Sequence, residues 1–303
     1  MANTEHLALL QQGAVRWIEW RTKNPTVEPD LSEADLAGAN LRGANLQGTN
    51  LKKTDLEKSR LIAADLSNAN LSNANLHAAE LVDANLRGAA LINARLIDAN
   101  LRGADLRDAN FVGTDMRGVN LRGTDLSEAN LIGTNLRGAN LRDADLSGAR
   151  LTRTNLNNAN LVAAHLNHAH LNSANLHDAE LMGAYLYKAN LHKANMSEAH
   201  LSRAYLFGAN LSEAHLYKAD FRWTNLCSSN LAGADLRGAN FRGANLSRAN
   251  FTGADLRGAS FRGANFRGAN LSEANLYEAE LSEANLCQVN FLGTIMPDGK
   301  VHL

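Results

Sequence analysis

The chain has 303 residues, 30 Lys and Arg against 31 Asp and Glu, a net charge of −1 and only 5% aromatic residues. A balance this even supplies no global field to attract nucleic acid or to imitate it, so any partner is recognised locally. Leu, Ala and Asn dominate, which suits a repetitive core better than two irregular globular domains, and no stretch approaches the roughly 18 apolar residues of a membrane helix.

The start, MANTEHLALLQQ, has no cationic segment followed by a long apolar run, and the expectation is a cytoplasmic protein. Thr4 to about Lys23 reads as one amphipathic helix with Leu7, Leu10, Ala14, Trp17 and Ile18 on one face, as a 3.6-residue period requires. Pro25 and Pro29 stop it. Residues 1–30 are read as a helical cap and linker, a lid that packs Trp17 and Trp20 against the first turn of the long segment beginning at Leu31.

From Leu31 to Phe291 every fifth residue is Leu, Phe or Met, with 44 Leu, 7 Phe and 2 Met in 53 positions. Two residues before it stands Ala in 41 of 52 cases, and just before it stands Asp or Asn in 39 of 53. A helix would turn each such Leu by about 140° and smear them around its surface, and a flat strand has period two. A coil of short strands and corners repeats one inward direction every five residues. Leu then fills the interior with Ala beside it, Asp or Asn bonds local backbone, and Gly eases the corners.

The pattern resembles the pentapeptide-repeat family, whose A(D/N)LXX consensus is met by AGANLRGANL and nearly every neighbour over residues 31–291. The resemblance implies an all-β fold, a right-handed quadrilateral parallel β-helix with four pentads per coil and about 13 coils over residues 31–294. Phe221, Phe241 and Phe261 recur at the twenty-residue interval of one coil. Met296-Pro297-Asp298-Gly299 is a tight-turn signal, and over residues 295–303 Val301 and Leu303 are expected to fold back across the last coil.

Chemistry is sparse. Carboxylate pairs such as Glu278 and Glu280 flank an inward Ala and fall on a convex surface, so no enzyme and no cofactor is expected. Cys227 and Cys287 lie three coils apart, roughly 14 Å, beyond the reach of a disulfide, and read as free thiols. Seven of the ten histidines fall between His165 and His215. His168 and His170 are near enough to invite a metal, but no four-ligand set completes them, and no metal site is assigned.

The same region departs furthest from the consensus. His165, Tyr185 and Tyr205 form one outward column, with Tyr187 and Phe207 in a second on the same face, and these five are the candidate partner-binding patch. Ring stacking between coils is the competing account. Arginine columns (Arg102, Arg122 and Arg142; Arg222, Arg242 and Arg262; Arg117, Arg137, Arg237 and Arg257) read as counter-charging, without the interleaved aromatics of single-strand binders. The resulting expectation is a non-enzymatic scaffold for an unidentified protein partner, with no nucleic acid or membrane contact, as a monomer or weak end-to-end homodimer. Mimicry of DNA toward gyrase, as in the quinolone-resistance branch of the resembled family, is disfavoured by the near-neutral charge. A metal-responsive regulator built on the His-rich coils is the third reading.

Overall fold

The computed structural model describes residues 1–303 apart from the side chain of Ala14, whose expected place on the buried helical face lies outside the described residues. The chain forms two compact units, Met1–Arg150 and Leu151–Leu303.

The first unit opens with α1 (Thr4–Gln11), capped by Asn3, whose side chain accepts from the N–H groups of Glu5 and His6 and satisfies two donors that a helix start leaves unpaired. After it comes α2 (Ala14–Lys23). The single helix expected over this stretch is therefore two. Gly13 sits at φ 102°, which no helix accommodates and glycine adopts freely. The break re-aims the second helix, so the buried face differs from the continuous one: Leu10 and Trp17 are buried, whereas Ile18 is 42% exposed. Trp17 Nε1 donates to the Asn45 carbonyl at 2.6 Å and Arg21 Nη2 to the Gln47 carbonyl at 2.7 Å. His6 Nδ1 accepts from the N–H of Asp30 at 3.1 Å, and Trp20 lies against Trp17 with ring centroids 5.3 Å apart.

From Leu31 onward one backbone pattern repeats. The N–H of Ala39 bonds the carbonyl of Leu36 at 3.1 Å, closing a four-residue turn, and the third residue of that turn has positive φ at every fifth position from Glu33 to Gly293. Such a position suits Gly or Asn; Ala63 or Lys188 there, at φ 53° and 52°, costs about 1 kcal/mol. Residues twenty apart pair as parallel bridges, Asp35 with Asp55 and Tyr185 with Tyr205 among them, so four pentads complete a coil. The Leu36 N–H donates to the Asp55 carbonyl, Gly38 to Glu57 and Asp55 back to Ala34, at 2.7–2.9 Å. One donor per pentad is left, that of the residue after Leu, and Asp35 Oδ1 takes it from Ala37 at 3.1 Å. This is the use of Asp or Asn before the core residue; Asn adds a second bond along the axis, as Asn50 Nδ2 to Asp30 Oδ1 at 2.9 Å.

The core is a filled stack of Leu and Ala with almost no exposure. In the second unit Phe221, Phe241 and Phe261 stack at 4.7 and 5.0 Å, as their spacing predicts. At the end of the chain β1 (Thr294–Ile295) pairs antiparallel with β2 (Val301–His302). The fold-back of Val301 and Leu303 over the last coil does not occur: Val301 is 54% and Leu303 99% exposed. The Met296–Gly299 turn is tight enough, with Gly299 N–H on the Met296 carbonyl at 2.9 Å, to pair the tail with the strand just before it. Leu281, Leu286 and Phe291 of the last coil consequently stay half-buried.

The second unit's faces are numbered by inward residue: first, Leu151 and Leu171; second, Leu156 and Leu176; third, Leu161 and Leu181; fourth, Leu166 and Leu186. On each face the residues immediately before and after the inward one point outward.

Candidate aromatic interaction face

The fourth face carries the candidate patch. Tyr185 and Tyr205 stack nearly parallel, 5.0 Å apart with planes 5° from coincidence, because bridge partners on successive coils hold their Cβ atoms one rung apart. Tyr187 and Phe207 form a second stack at 5.8 Å and 15°. Histidine edges close one end of both stacks: His165 meets Tyr185 at 4.8 Å and His168 meets Tyr187 at 5.3 Å and 85°. Lys188 Nζ sits 5.1 Å from the Tyr187 ring. The four rings of the stacks are 39–50% exposed. Their inner faces are spent on one another, so ring edges, tyrosine hydroxyls and the outer faces of Tyr205 and Phe207 are what this surface presents.

Replacing Asp or Asn by Tyr185 removes the acceptor that normally serves the residue after Leu. Asn167, one coil back, supplies it, its Oδ1 accepting from the N–H of Tyr187 at 3.1 Å. The patch is thus built into the ladder and not merely laid over it.

Sequence reasoning missed Trp223, 61% exposed at the corner between the third and fourth faces. Its φ is +60°, and its ring lies directly over Gly243, where any Cβ would collide with it. A bulky aromatic at a strained corner is the signal that was available. Met182, 46% exposed, follows Leu181 on the third face. On the second face the reading of arginines without aromatic neighbours needs correction. Tyr217, Arg237, Arg257 and Tyr277 share a column, and the Arg237 guanidinium stands 5.7 Å from the Tyr217 ring. Those arginines are spent: Arg237 grips Asp235 and Arg257 grips Asp255 through paired bonds of 2.7–2.9 Å. Hydrogen bonding to the guanidinium holds each carboxyl below its usual range, against a smaller opposing effect of burial. Counter-charging is what the geometry shows for Asp-Leu-Arg sequences.

The histidines are dispersed. His177 Nδ1 lies 2.9 Å from the Ser197 carbonyl, which places its proton on that nitrogen, and His192 makes the same contact to Ser212. His200 stands between Asp178 and Glu180 at 3.9 and 4.0 Å. Among the described residues no three His, Cys, Asp or Glu side chains converge enough to hold a metal ion. Cys227 and Cys287 are free thiols. No helix is long and apolar enough to cross a membrane.

A family model for pentapeptide repeats matches in eight copies, over residues 30–61, 55–89, 84–123, 120–158, 159–197, 184–222, 219–258 and 254–293. The chain belongs to the pentapeptide-repeat family. Pentapeptide-repeat proteins fold as right-handed β-helices, and the parallel pairing of residues twenty apart is how this chain builds one. Similar solved structures include HetL of the cyanobacterium Nostoc sp. strain PCC 7120, a pentapeptide repeat protein involved in heterocyst differentiation regulation. It is 36% identical over 72% of this chain and 91% of HetL, with a TM-score of 0.35. Trypsin-treated QnrB1, a plasmid-mediated fluoroquinolone resistance protein, is 21% identical over 59% of this chain and 88% of its own, with a TM-score of 0.46. The pentapeptide repeat protein Rfr23 of the cyanobacterium Cyanothece 51142 is 36% identical over 33% of this chain and 59% of its own, with a TM-score of 0.23. No curated protein matches this pentapeptide-repeat chain.

Proposed function

We propose that this pentapeptide-repeat protein is a non-enzymatic scaffold that engages a protein partner through the fourth face of its second unit. The observation that carries the reading is the pair of exposed ring stacks, Tyr185 on Tyr205 and Tyr187 on Phe207, which gather four rings on one face, where the other exposed aromatic residues, Tyr217, Trp223 and Tyr277, are in no such stack. Aromatic clusters of this kind are enriched at interfaces. A core filled with Leu and Phe supports a role played on the outside. In the same reading the repeat runs to about 13 coils over residues 31–294, and α1 and α2 act as a lid on the first of them, supported by the buried Trp17 and its bond to the Asn45 carbonyl.

A photo-cross-linking residue placed at position 207 tests the reading against one at Ser197, on the opposite face. The scaffold role expects one protein trapped from the native host at 207 and absent at 197, and lost when Tyr187→Ser is added. Equal trapping at both positions refutes it.

A further inference from the structure

Beyond Phe207 the fourth face changes character. The next coils carry small or polar outward residues, and from Asn225 to Gln288 no outward position of this face, and no corner that follows it, is Asp or Glu. A notch of about 340 Å³ opens there, lined by Ser247, Arg248, Asn265, Arg267 and Gln288 over Gly268. The Arg248 stem runs toward the next coil, its Cγ 3.8 Å from where a Cβ of Gly268 would stand, and Arg248 and Arg267 line the same notch. An arginine after the inward residue is clamped where Asp precedes that residue, as in Asp235-Leu236-Arg237, and is left unclamped where Asn does, as in Asn100-Leu101-Arg102. Arg267 follows Asn265, whose Oδ1 accepts its backbone N–H at 3.2 Å and Asn285 Nδ2 at 3.1 Å and takes no bond from the guanidinium. Among the described residues neither Arg248 nor Arg267 has an ion pair or a side-chain hydrogen bond. Two uncommitted guanidiniums in a concave site free of carboxylates are an oxyanion receptor by composition.

We propose that this notch binds an acidic side chain, carboxylate or phosphoryl, of the same protein partner whose apolar residue rests against Tyr205 and Phe207. The proposal deepens the scaffold reading and rests on it. Phe207 and Arg267 are three coils apart, about 14 Å, the span of about four residues of extended chain. The partner segment is therefore extended, with an acidic group about four residues from an apolar one. A protein segment fits better than a nucleic acid. Each two-ring stack leaves only the outer face of Tyr205 or Phe207 without a ring partner, which is no run of platforms for successive bases, and two arginines make no continuous basic track.

Fluorescence anisotropy with the full chain and labelled peptide pools tests this. Each pool fixes Leu or Trp at one position and Glu, phosphoserine or Lys four residues on. The Glu and phosphoserine pools are expected to bind, the ratio between them identifying the oxyanion, and the Lys pool is not. Binding should weaken by about tenfold or more in the R248S/R267S variant, with an unchanged melting curve, and should fall as salt rises from roughly 50 to 300 mM. Equal binding of the Lys pool, no binding by any pool, indifference to R248S/R267S, or stronger R248-dependent binding of a single-stranded RNA oligonucleotide each overturns it. Loss of binding in Phe207→Ser with indifference to R248S/R267S sinks the notch and leaves the aromatic scaffold standing. The reverse pattern sinks the aromatic contact instead.

Discussion

A hydroxyl that replaces alanine in the core has to find an acceptor inside a column of Leu. Thr54, Thr114, Thr134, Thr224 and Thr294 each donate to the carbonyl of the Leu or Phe twenty-three residues back, at 2.6–2.9 Å. Ser59 Oγ and Thr49 Oγ1 are buried without one. An unmet buried hydroxyl is a standing cost of about 1 kcal/mol or more, whereas a met one is a gain of similar size. Ser59→Ala is therefore expected to raise the urea midpoint by the equivalent of about 1 kcal/mol, and Thr114→Val to lower it by about the same. Equal shifts of one sign in both variants would contradict this accounting. The period-five rule marks all these positions as inward. It is silent on which hydroxyl meets a partner, because the acceptor is a carbonyl of the previous coil for some and of the same turn for others, as for Thr124 and Ser229, and depends on the rotamer chosen.

Among the elements, the phenylalanine column of the third face is where packing is densest in large side chains. Phe241 lies between Phe221 and Phe261 and meets Phe251 edge-on at 6.2 Å. Phe241→Ala removes a buried ring from a stack that cannot collapse, since the coil spacing is set by backbone bonds, and is expected to cost about 3–5 kcal/mol. Hydrogen exchange should show the loss first at amides 221–261. At the other end, Trp17→Ala deletes a buried indole and its bond to the Asn45 carbonyl. The expected result is faster exchange at Leu31–Leu46, with amides 70–110 unchanged. The column was legible in the sequence because twenty residues bring the same side chain back to the same place. The break at Gly13 was not, since both halves fit one helical period and only the backbone angle separates them. The tail hairpin was half legible: its turn is written in Pro297-Asp298-Gly299, but not which strand the turn serves.

Taken as a whole, the molecule has a net charge of −1 and a pI near 6.8, and part of that neutrality is organised in local pairs. Arg117, Arg222, Arg237 and Arg257 each bind the Asp two residues earlier. Hydrogen bonding to Arg237 and Arg257 depresses the carboxyls of Asp235 and Asp255 in the folded chain. Such a carboxyl favours folding above its unfolded value of about 3.9 and loses that contribution as pH falls through the lower folded value. Stability is expected to be level from neutrality to about pH 5 and to decline below about pH 4. Denaturation midpoints across that range check it, and the acid limb should flatten in the Asp235→Asn/Asp255→Asn variant. The candidate face was legible to the extent that His165, Tyr185, Tyr187, Tyr205 and Phe207 replace consensus residues at twenty-residue intervals. Trp223 and the Arg248–Arg267 notch escaped notice, since a corner residue's direction and an arginine's lack of a partner are set by neighbours on other coils.

The closing of the backbone donors by one repeated set of bonds, within the turn and between coils, has a consequence for how such a chain diversifies. The side chains of Leu, Ala and the Asp or Asn between them complete most of the frame, and the two residues after Leu serve it chiefly through their backbone, which leaves their side chains largely free to vary. A lineage can rewrite those two letters, coil by coil, without renegotiating the fold, so that each side of the coil becomes a separate page on which a different recognition message is inscribed.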